Sequence, residues 1–528
     1  MSRQEIAEKV PVKTIKELLA GDCLAQGEGI EKYWNIEFQG LAIDSRKVRA
    51  GDVFLAYRGY ASDGREYIQA AIDKGAVAVI AEKSQQWKEF TVINGNTPVY
   101  IYPELRKKAG VLAAKFFGNP SASMKVIGVT GTNGKTTCSH ILAEALALLN
   151  KKCGIIGTLW NGFFGQLQTA THTTPDPLSL QKTVKDLKEA GAEFLAIEIS
   201  SHALDQGRVN GMNFDTAVLT NITHDHLDYH GTLEHYAETK KKLFHWEALR
   251  HAVLNLDDDF GQQWLASVGG IKESVLHCVG YSRKANHRQF KTTAVDKLIA
   301  SNIVSNEAGI SFDFNSPWGR GHVSNKMMFG EFNISNLLAV SCVLFSAGFK
   351  LKEIEYAMSN VHGVPGRMEK IHTPGKPTVV IDFAHTPDAL ENVLRALKAQ
   401  KKGQLVCVFG CGGDRDKEKR PAMGRIASQL ADKVIVTSDN PRTEAKESIF
   451  QGILSGMSDA RRVSVIENRA EAIAHAIELS REGDVVLVAG KGAESYQEID
   501  GKKLPYSDIE VIREILNPLN PSENGALH

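Results

Sequence analysis

The amino-acid sequence predicts an α/β protein of several domains, on three observations. The chain has 528 residues, more than one hydrophobic core usually holds, so roughly two to four domains are expected. Short runs of β-branched and apolar residues alternate with longer stretches of helical periodicity, which is typical of parallel sheets built from βαβ units. A glycine-rich loop at residues 131–134 follows one such strand and precedes one such helix.

The N-terminal part of the chain predicts one compact α/β unit. A strand, a turn and a second strand are indicated by GLAIDSRKVRAGDVFLAY, residues 40–57. They are followed by the helical pattern REYIQAAIDKGA and the strand AVAVIAE. The turn-rich segment GNPSAS, residues 118–123, marks the first domain boundary, so we expect an N-terminal domain over residues 1–122.

Two further domains are predicted, over residues 123–362 and 363–528. Their boundary lies where NVHGVPG, residues 360–366, interrupts a helical pattern. Beyond it, strands are predicted for PTVVIDF, LVCVFG, KVIVTSD and DVVLVAG, which indicates another α/β domain. Between residues 255 and 330 the pattern is less regular, and the alternation in SNIVSNEAGISFDF indicates antiparallel strands.

Composition gives no reason to expect a nucleic-acid or membrane partner. Lysine plus arginine, 62 residues, balances aspartate plus glutamate, also 62, and no block of like charge stands out. The start MSRQEIAEKV lacks the pattern of a signal peptide, and no apolar run is long enough to span a membrane. The seven cysteines are scattered, without the close pairs of a zinc site. We therefore expect a cytoplasmic, soluble protein with reduced thiols, and a monomer.

The strongest single signal is a phosphate-binding loop. Its residues are Gly131, Thr132, Asn133, Gly134, Lys135, Thr136 and Thr137. Glycines let backbone N–H groups surround phosphate oxygens, Lys135 can reach the β- and γ-phosphates, and Thr136 can ligate Mg²⁺. The spacing departs from the strict GxxxxGK[ST] pattern, because the preceding glycines are Gly128 and Gly131. The alternative is a glycine turn that only caps a helix.

Polar side chains at the ends of two predicted strands suggest a cation site. Glu198 ends the apolar run FLAIEI, and His226 lies in a cluster of histidines and aspartates after the strand AVLTNI. That cluster by itself could indicate zinc, but the phosphate loop and the lack of thiolate partners favour a hard cation. A polar turn remains the alternative for any one histidine.

The sequence resembles the Mur ligase family, which shares its fold with folylpolyglutamate synthetases. The loop TGTNGKTT is similar to the ATP loop of that family, and further blocks match in order along nearly the whole chain. These blocks are GLAIDSRKV, GDVFLAYRG, HTTPDPLSLQ, EISSHALDQGRV, TNITHDHLDYHG, FNISNLLA, PGRMEKI, VIDFAHTPDALENVL, GCGGDRDKEKRPAMG and SDNPRTE. The resemblance implies an N-terminal uridine-nucleotide-binding domain, a central P-loop ATPase-like domain with a mostly parallel sheet, and a C-terminal Rossmann-like domain.

The resemblance also implies an activity, namely ATP-dependent amide-bond formation in peptidoglycan precursor synthesis, which supports cell shape and division. The expected substrates are UDP-N-acetylmuramoyl-L-alanyl-D-glutamate and meso-diaminopimelate. ATP would transfer its γ-phosphoryl group to the D-glutamate carboxylate, and the amine would attack the acyl phosphate. No Ser-His-Asp nucleophile is required.

Roles near the nucleotide follow from the same resemblance. Mg²⁺ would be bound by Thr136, Glu198 and His226, and Lys240 would react with CO₂ to form a carbamate that serves a second Mg²⁺. From composition alone, Lys240 and its two lysine neighbours in HYAETKKKLF would be a solvated face. In the family pattern, Asn336 contacts adenine, Arg367 the phosphates and Asp382 the ribose. His224 stands where the family often has arginine.

The resemblance also implies the residues of two substrate pockets. The UDP-muramoyl-dipeptide contacts would be Ser45, Thr173, Thr174, Ser200, Gln206 and Arg208. The diaminopimelate contacts would be Arg415, Asp439, Asn440, Pro441, Arg442, Gly490 and Glu494. The Asp-Asn-Pro-Arg block is typical of diaminopimelate selection, since its arginine would pair with the carboxylate that lysine lacks. Ala493 stands where relatives usually have histidine.

Three alternatives stay open on the sequence alone. A lysine-adding ligase of the same family fits everything except the intact Asp-Asn-Pro-Arg block. A folylpolyglutamate synthetase-like ligase would share the ATP loop but would not need the uridine-type N-terminal unit. A non-enzymatic nucleotide-binding protein would bind ATP without releasing phosphate when all substrates are present.

Overall fold

The structure is a computed structural model, which describes residues 13–21, 29–60, 62–170, 172–268, 276–284, 295–458 and 460–517. The expectations for MSRQEIAEKV, for Cys23 and for the PSENGALH end fall outside these residues. Within the described part of the chain, no helix is long and apolar enough to cross a membrane.

The strands follow the predicted alternation with helices along the chain. They are β1 (Gly40–Ala42), β2 (Asp52–Ala56), β3 (Ala78–Glu82), β4 (Thr91–Ile93), β5 (Thr97–Tyr102), β6 (Lys125–Thr130), β7 (Cys153–Ile156), β8 (Trp160–Phe163), β9 (Gln166–Thr169), β10 (Phe194–Glu198), β11 (Thr216–Leu219), β12 (His251–Asn255), β13 (His277–Ser282), β14 (Asp296–Asn306), β15 (Gly309–Ser316), β16 (Gly319–Asn325), β17 (Glu369–Ile371), β18 (Thr378–Asp382), β19 (Leu405–Phe409), β20 (Lys433–Val436), β21 (Val463–Val465), β22 (Val485–Ala489), β23 (Tyr496–Ile499) and β24 (Lys502–Pro505).

The α-helices fill the segments between these strands. They are α1 (Ile15–Leu18), α2 (Ile68–Asp73), α3 (Leu105–Phe116), α4 (Lys135–Leu148), α5 (Pro177–Glu189), α6 (Ser201–Asp205), α7 (Leu227–His230), α8 (Leu233–Lys241), α9 (Asp259–Val268), α10 (Glu331–Ser346), α11 (Leu351–Asn360), α12 (Pro387–Gln400), α13 (Lys419–Leu430), α14 (Lys446–Leu454), α15 (Arg469–Glu478) and α16 (Asp508–Leu516). Short 3₁₀ helices occur at Ile30–Tyr33, Ser45–Lys47, Gly64–Tyr67, Pro120–Ser123, Lys242–His245 and Ala460–Arg462.

The chain divides into two compact units. Unit 1 is drawn from residues 1–128, 151–217 and 242–250, and unit 2 from residues 129–150, 218–241 and 251–528. The domain boundaries near residues 122 and 362 stay a prediction.

Unit 1 contains a five-stranded sheet in the order β1-β2-β3-β5-β4. All of its pairs are parallel except β4 with β5. Side chains alternate between its two faces, as strand geometry requires, so Val53 and Leu55 pack in one core with α1 and α3. Phe54 and Ala56 pack in a second core with α2. The predicted strand, turn and strand at residues 40–57 are confirmed.

Unit 1 also contains the strands that precede most of the residues predicted to bind the UDP-muramoyl dipeptide. β10 pairs with β7 in parallel, and β7, β8 and β9 continue as an antiparallel meander. Glu198 is the last residue of β10, and the short helix α6 begins three residues later.

In unit 2, β12, β13 and β14 pair in parallel, whereas β14, β15 and β16 pair antiparallel. The antiparallel strands predicted within residues 255–330 are thereby confirmed. The buried helix α10 packs on this group of strands.

Unit 2 also holds a six-stranded sheet in the order β17-β18-β22-β19-β20-β21, parallel except for the edge pair β17 with β18. Its central strands are buried on both faces. One face packs against α12, α13 and α14, and the other against α15 and α16. All four strands predicted for this segment are present, and the expected α/β class is confirmed.

Candidate active site

The loop at residues 131–134 connects β6 to α4, and two of its residues have backbone conformations that favour glycine. Gly131 has a φ of 144° and Gly134 a φ of 87°. A Cβ atom at Gly131 would lie 1.9 Å from the hydroxyl oxygen of Thr220. The loop therefore lies too close to its neighbour for any side chain at this position.

Neighbouring backbone and side-chain groups fix the loop in place. The Thr220 hydroxyl donates to the backbone carbonyl oxygen of Asn133 over 2.6 Å. The backbone N–H of Asn133 donates to Asn221 Oδ1 over 3.0 Å. Asn133 Nδ2 donates to Asp388 Oδ2 over 3.1 Å. Thr132 Oγ1 contacts the phenolic oxygen of Tyr236 at 3.2 Å. These hydrogen bonds fix the conformation of the loop.

Two lysines meet at the carbonyl oxygen of Gly131. Lys135 Nζ donates to it over 2.8 Å, and Lys240 Nζ donates over 2.9 Å. Lys240 is 1% exposed, whereas Lys241 is half-buried and Lys242 is exposed. Burial lowers the pKa of Lys240 far below the ordinary lysine value, and the charge of Lys135 lowers it further. Both effects favour the neutral, nucleophilic form of the Lys240 amine.

A buried carboxylate lies beside these lysines. Burial alone would raise the pKa of Asp225, but the electrostatic effect of the nearby His226 and Lys419 side chains outweighs it and holds that pKa below the ordinary range. His226 Nε2 lies 3.4 Å from Asp225 Oδ2. His224 Nε2 lies 2.9 Å from Asp416 Oδ2, so the histidine at the usual arginine position pairs with a buried aspartate.

The three residues predicted to contact the nucleotide line one cavity of about 320 Å³. Asn336, Arg367 and Asp382 share this cavity with the loop residues Asn133 and Gly134. These three side chains thus lie near the loop, and their roles in binding the nucleotide stay a prediction.

Each of these side chains is positioned by local contacts. Asn336 Nδ2 donates to Asn333 Oδ1 over 3.0 Å, one turn earlier on α10. The guanidinium of Arg367 stacks over the Phe383 ring at 4.2 Å and reaches Thr136 Oγ1 at 3.4 Å. Asp382 accepts from the backbone N–H groups of Met368 and Ala384 at 2.9 and 2.7 Å.

The predicted amino-acid pocket lies at the carboxyl edge of the six-stranded sheet. Asp382 ends β18 and pairs in register with Ala489 at the end of β22, and the Gly490 N–H donates to the Asp382 carbonyl over 3.0 Å. Residues 410–415 follow β19, and residues 437–442 follow β20. Ligands bind in open α/β sheets where parallel strands end side by side, so this edge suits an amino acid next to a nucleotide.

The Asp-Asn-Pro-Arg block is held by the hairpin β23–β24. Arg442 has a φ of 55°, unusual for a residue with a side chain. Its N–H donates to the Glu498 carbonyl over 3.0 Å, and its Nε donates to Glu498 Oε2 over 3.1 Å. Arg442 Nη1 donates to the Gly413 carbonyl over 2.8 Å.

Partial burial and the nearby charge of Arg442 lower the pKa of Arg415. Two neighbouring guanidinium groups are suited to an anion.

The remaining pocket residues come from the loop after β22. Gly490 has a φ of 116°, and a Cβ there would lie 2.6 Å from Asp439 Oδ2. Asn440 Nδ2 donates to Glu494 Oε2 over 3.1 Å. A Cβ at Gly366 would lie 2.1 Å from the backbone nitrogen of Ala493, so the position where relatives usually have histidine packs on the turn before Arg367.

In unit 1, most of the predicted UDP-muramoyl-dipeptide residues form one hydrogen-bonded group. The Thr174 hydroxyl donates to the Glu198 carbonyl over 2.8 Å and lies 3.3 Å from Ser200 Oγ. Arg208 Nη1 donates to the Thr174 carbonyl over 3.1 Å, and Arg208 Nε donates to Gln206 Oε1 over 2.7 Å.

Thr158 ties two more predicted residues to this group. Thr158 Oγ1 donates to Glu198 Oε2 over 2.9 Å and lies 3.1 Å from Thr173 Oγ1. Ser45 lies apart, at the start of a 3₁₀ helix, and within the described residues it has no hydrogen bond to the group.

The oxygen atoms around the loop suit a nucleotide that carries Mg²⁺. Asp225 is buried and kept ionised, and Thr136 offers a hydroxyl next to the guanidinium of Arg367. Anionic and hydroxyl oxygens are what Mg²⁺ prefers. Lys135 curls over the loop to the carbonyl oxygens of Gly131 and Thr132, both at 2.8 Å, which places its charge where a polyphosphate would lie.

Sequence reasoning missed several residues that the structure brings to these pockets. Asp225 lies between His224 and His226, and Lys491 lies between Gly490 and Glu494, so in both cases the surrounding motif is a signal that could have identified the residue. Glu498 lies on β23, outside every matched block, and nothing in the sequence marks it as the partner of Arg442.

Family models match the chain in three segments. The segments are residues 37–113, described as "Mur ligase family, catalytic domain", residues 129–344, described as "Mur ligase middle domain", and residues 366–492, described as "Mur ligase, glutamate ligase domain".

Individual proteins match over nearly the whole chain. UDP-N-acetylmuramoyl-L-alanyl-D-glutamate--2,6-diaminopimelate ligase from Pseudomonas aeruginosa is 47% identical over 89% of this chain and 93% of its own. The same-named ligase from Coxiella burnetii is 43% identical over 91% of this chain and 96% of its own. A solved structure of a ligase of that name has a TM-score of 0.67 and 36% identity, covering 96% of this chain and 99% of its own. The chain therefore belongs to the Mur ligase family, whose members are ATP-dependent ligases that form amide bonds.

Proposed function

We propose that this chain adds meso-diaminopimelate to UDP-N-acetylmuramoyl-L-alanyl-D-glutamate, with hydrolysis of ATP to ADP and phosphate, as a cytoplasmic step of peptidoglycan precursor synthesis. The names of its relatives support this reaction. The observation that carries it is the adjacency of the two pockets in unit 2, where the backbone of Asp382 in the nucleotide cavity bonds to Gly490 in the amino-acid pocket. We further propose that the protein acts as a monomer, with no membrane or nucleic-acid partner.

The nucleotide would bind along the cavity from Asn336 to the loop. The amide of Asn336 suits the edge of a base, the carboxylate of Asp382 suits ribose hydroxyls, and the guanidinium of Arg367 suits phosphate oxygens. Lys135 would move from the loop carbonyl groups to the γ-phosphate. The loop N–H groups and the N-terminus of α4 add to the positive field there.

Amide formation would proceed in two steps. A carboxylate oxygen of the terminal D-glutamate attacks the γ-phosphorus, the bond to the β-phosphate oxygen breaks, and ADP leaves. The amine of diaminopimelate then attacks the acyl carbon, and the tetrahedral intermediate expels inorganic phosphate while the amine loses a proton. The protein's part is alignment of the reactants and neutralisation of charge, which can supply most of the rate enhancement of such a reaction.

Magnesium, where bound, would offset the negative charge of the phosphates. Thr136, Glu198 and His226 would hold it. The neutral amine of Lys240 would attack CO₂ at carbon, forming a carbamate and releasing a proton. The resulting anion would hold or orient a second ion. Burial of Lys240 supports this reaction, because only an unprotonated amine has the lone pair that it requires.

Selection of the diamino acid would rest on Arg415, Asn440 and Arg442. Their donors suit the second carboxylate of diaminopimelate, and a guanidinium that faced lysine there would lack its anionic partner. Glu494 would accept from the ammonium group at the same end of the substrate, with Asp439, Pro441 and Gly490 shaping the pocket. The muramoyl dipeptide would be bound by Ser45, Thr173, Thr174, Ser200, Gln206 and Arg208.

A phosphate-release assay tests this function. Purified protein receives ATP, Mg²⁺ and UDP-muramoyl dipeptide, together with diaminopimelate, lysine or no amino acid, and Lys135→Ala serves as the inactive control. We expect release that depends on both the dipeptide and diaminopimelate. Turnover with lysine alone would point to the lysine-adding ligase, turnover with a folate acceptor to a folylpolyglutamate synthetase, and nucleotide binding without release to a non-enzymatic protein.

A further inference from the structure

The loop after β22 contains a lysine that is buried among the residues proposed to bind the amino acid. Lys491 is 0% exposed. An ammonium group is rarely buried so completely unless its charge is paired. Its neighbours Gly490 and Glu494 carry proposed binding roles, but the matched motifs assign no role to Lys491 itself.

Lys491 is paired with two of the proposed substrate contacts. Its Nζ donates to Glu494 Oε2 over 2.8 Å and to Asn440 Oδ1 over 3.1 Å. Asn440 Nδ2 in turn donates to the same Glu494 oxygen over 3.1 Å. The three side chains thus form a closed triangle of hydrogen bonds, which fixes each of them relative to the other two.

The triangle determines which oxygen of Glu494 can meet a ligand. Oε2 accepts from both Lys491 and Asn440, while Oε1 accepts no hydrogen bond from the described part of the chain. The Glu494 side chain is 17% exposed. One carboxylate oxygen is therefore held by the protein, and the other is left for a cationic group in the pocket.

The triangle also fixes the orientation of Asn440. Its Oδ1 accepts from Lys491 Nζ and from the N–H of Glu498 at 2.9 Å. The amide nitrogen must therefore point the other way, toward Glu494 and the pocket. A site that selects a zwitterionic group depends on such fixed donors and acceptors, since a loosely held pair could turn to suit several ligands.

We propose that Lys491 is a positioning residue for amino-acid recognition, one that orients Glu494 and Asn440 toward the ammonium and carboxylate groups at the side-chain end of the incoming diamino acid. This inference rests on the proposed function. Lys491 itself does not touch the substrate. Its loss would weaken binding of the amino acid and leave the nucleotide and the muramoyl dipeptide unaffected.

The test compares Lys491→Met with the wild type and with Lys502→Met, a control that removes an exposed lysine from the nearby hairpin β23–β24. KM and kcat are measured separately for ATP, muramoyl dipeptide and diaminopimelate. In Lys491→Met we expect the KM for diaminopimelate to rise about tenfold or more, the effect of losing a hydrogen bond to a charged group. The KM values for the other two substrates should stay within about twofold. The control should match the wild type throughout.

A double variant covers the case in which Lys491→Met alone does not fold. The variant Lys491→Met/Glu494→Ala removes both members of the buried pair and leaves neither charge unpaired. Because Lys491 also orients Asn440, which the double variant retains, the KM of the double variant for diaminopimelate should exceed that of Glu494→Ala by no more than the rise that Asn440→Ala causes on its own. A rise in the double variant beyond that limit, or an unchanged KM in a folded Lys491→Met protein, would overturn the inference. A wild-type protein that shows no turnover with diaminopimelate would overturn the proposed function and this inference together.

Discussion

Lys240 donates a hydrogen bond to the carbonyl oxygen of Gly131 over 2.9 Å, although 109 residues separate the two in sequence. The contact places a buried amine, whose pKa is lowered by burial, against the first glycine of the phosphate loop. Any change at Lys240 is therefore expected to act at the nucleotide.

The Lys240→Met variant should lose at least about 100-fold in kcat, because the charge that the carbamate would supply near the transferring phosphoryl group is absent. Phosphate release is the measurement, and Lys242→Met, at an exposed position on the same segment, is the control. Wild-type protein in isotope-labelled bicarbonate should also show a carbamate carbon resonance that the variant lacks. Equal kcat values for wild type and Lys240→Met would refute the proposed role.

Lys240 should also make stability depend on pH. Its pKa is lowered in the folded protein, so between that lowered value and the ordinary lysine value the unfolded chain binds a proton that the folded chain does not. The free energy of unfolding should therefore rise with pH across this window, until the unfolded lysine also loses its proton. Thermal unfolding of the wild type and of Lys240→Met, in carbonate-free buffer at a series of pH values, measures this dependence. The free energy of unfolding should depend less steeply on pH in the variant than in the wild type. Parallel curves for the two proteins would contradict a lowered pKa at Lys240.

The substitution Gly134→Ala should weaken ATP binding by about tenfold or more, because it adds a steric conflict to backbone strain of about 1 kcal/mol. Gly134 has a φ of 87°, and the new Cβ would lie 2.8 Å from Asn336 Oδ1, which would have to move away. The matched control is Gly348→Ala, with a φ of 95° and nothing within 4 Å of the new atom. Calorimetric titration with ATP should show weaker binding in the first variant only; equal affinities would mean that Asn336 does not contact the nucleotide.

The variant Arg415→Met should reduce the preference for diaminopimelate over lysine by at least about tenfold, since it removes a cation proposed to face the second carboxylate. The ratio of kcat/KM for the two amino acids is the measurement. Arg425→Met, at an exposed position on α13, is the control. A ratio unchanged from the wild type would assign the carboxylate to other residues.

The sequence predicts the local architecture well, for reasons that particular elements make clear. The strand at residues 125–130, the glycines at 131 and 134 and the helix from Lys135 depend on apolar periodicity and backbone conformation, which are written in adjacent residues. Apolar runs likewise predict the strands at 378–382 and 485–489, and their parallel pairing follows from the helices between them.

Contacts between distant segments could not be predicted in this way. Three lysines at residues 240–242 look alike in sequence, and only packing separates the buried Lys240 from its exposed neighbour Lys242. Lys491 reaches Asn440 across 51 residues, and the buried ion pair of Arg469 with Asp508 spans 39. Such pairs depend on which loops the sheet order brings to one edge, and periodicity carries no information about that order.

The central claim is that residues 131–137 hold the triphosphate of ATP. A crystal structure of the full chain with a non-hydrolysable ATP analogue and Mg²⁺ tests it most directly. We expect the β- and γ-phosphates among the backbone N–H groups of the loop, Lys135 Nζ withdrawn from the Gly131 carbonyl to a phosphate oxygen, and the base beside Asn336. A triphosphate bound elsewhere, with the Lys135–Gly131 hydrogen bond intact, would contradict the claim.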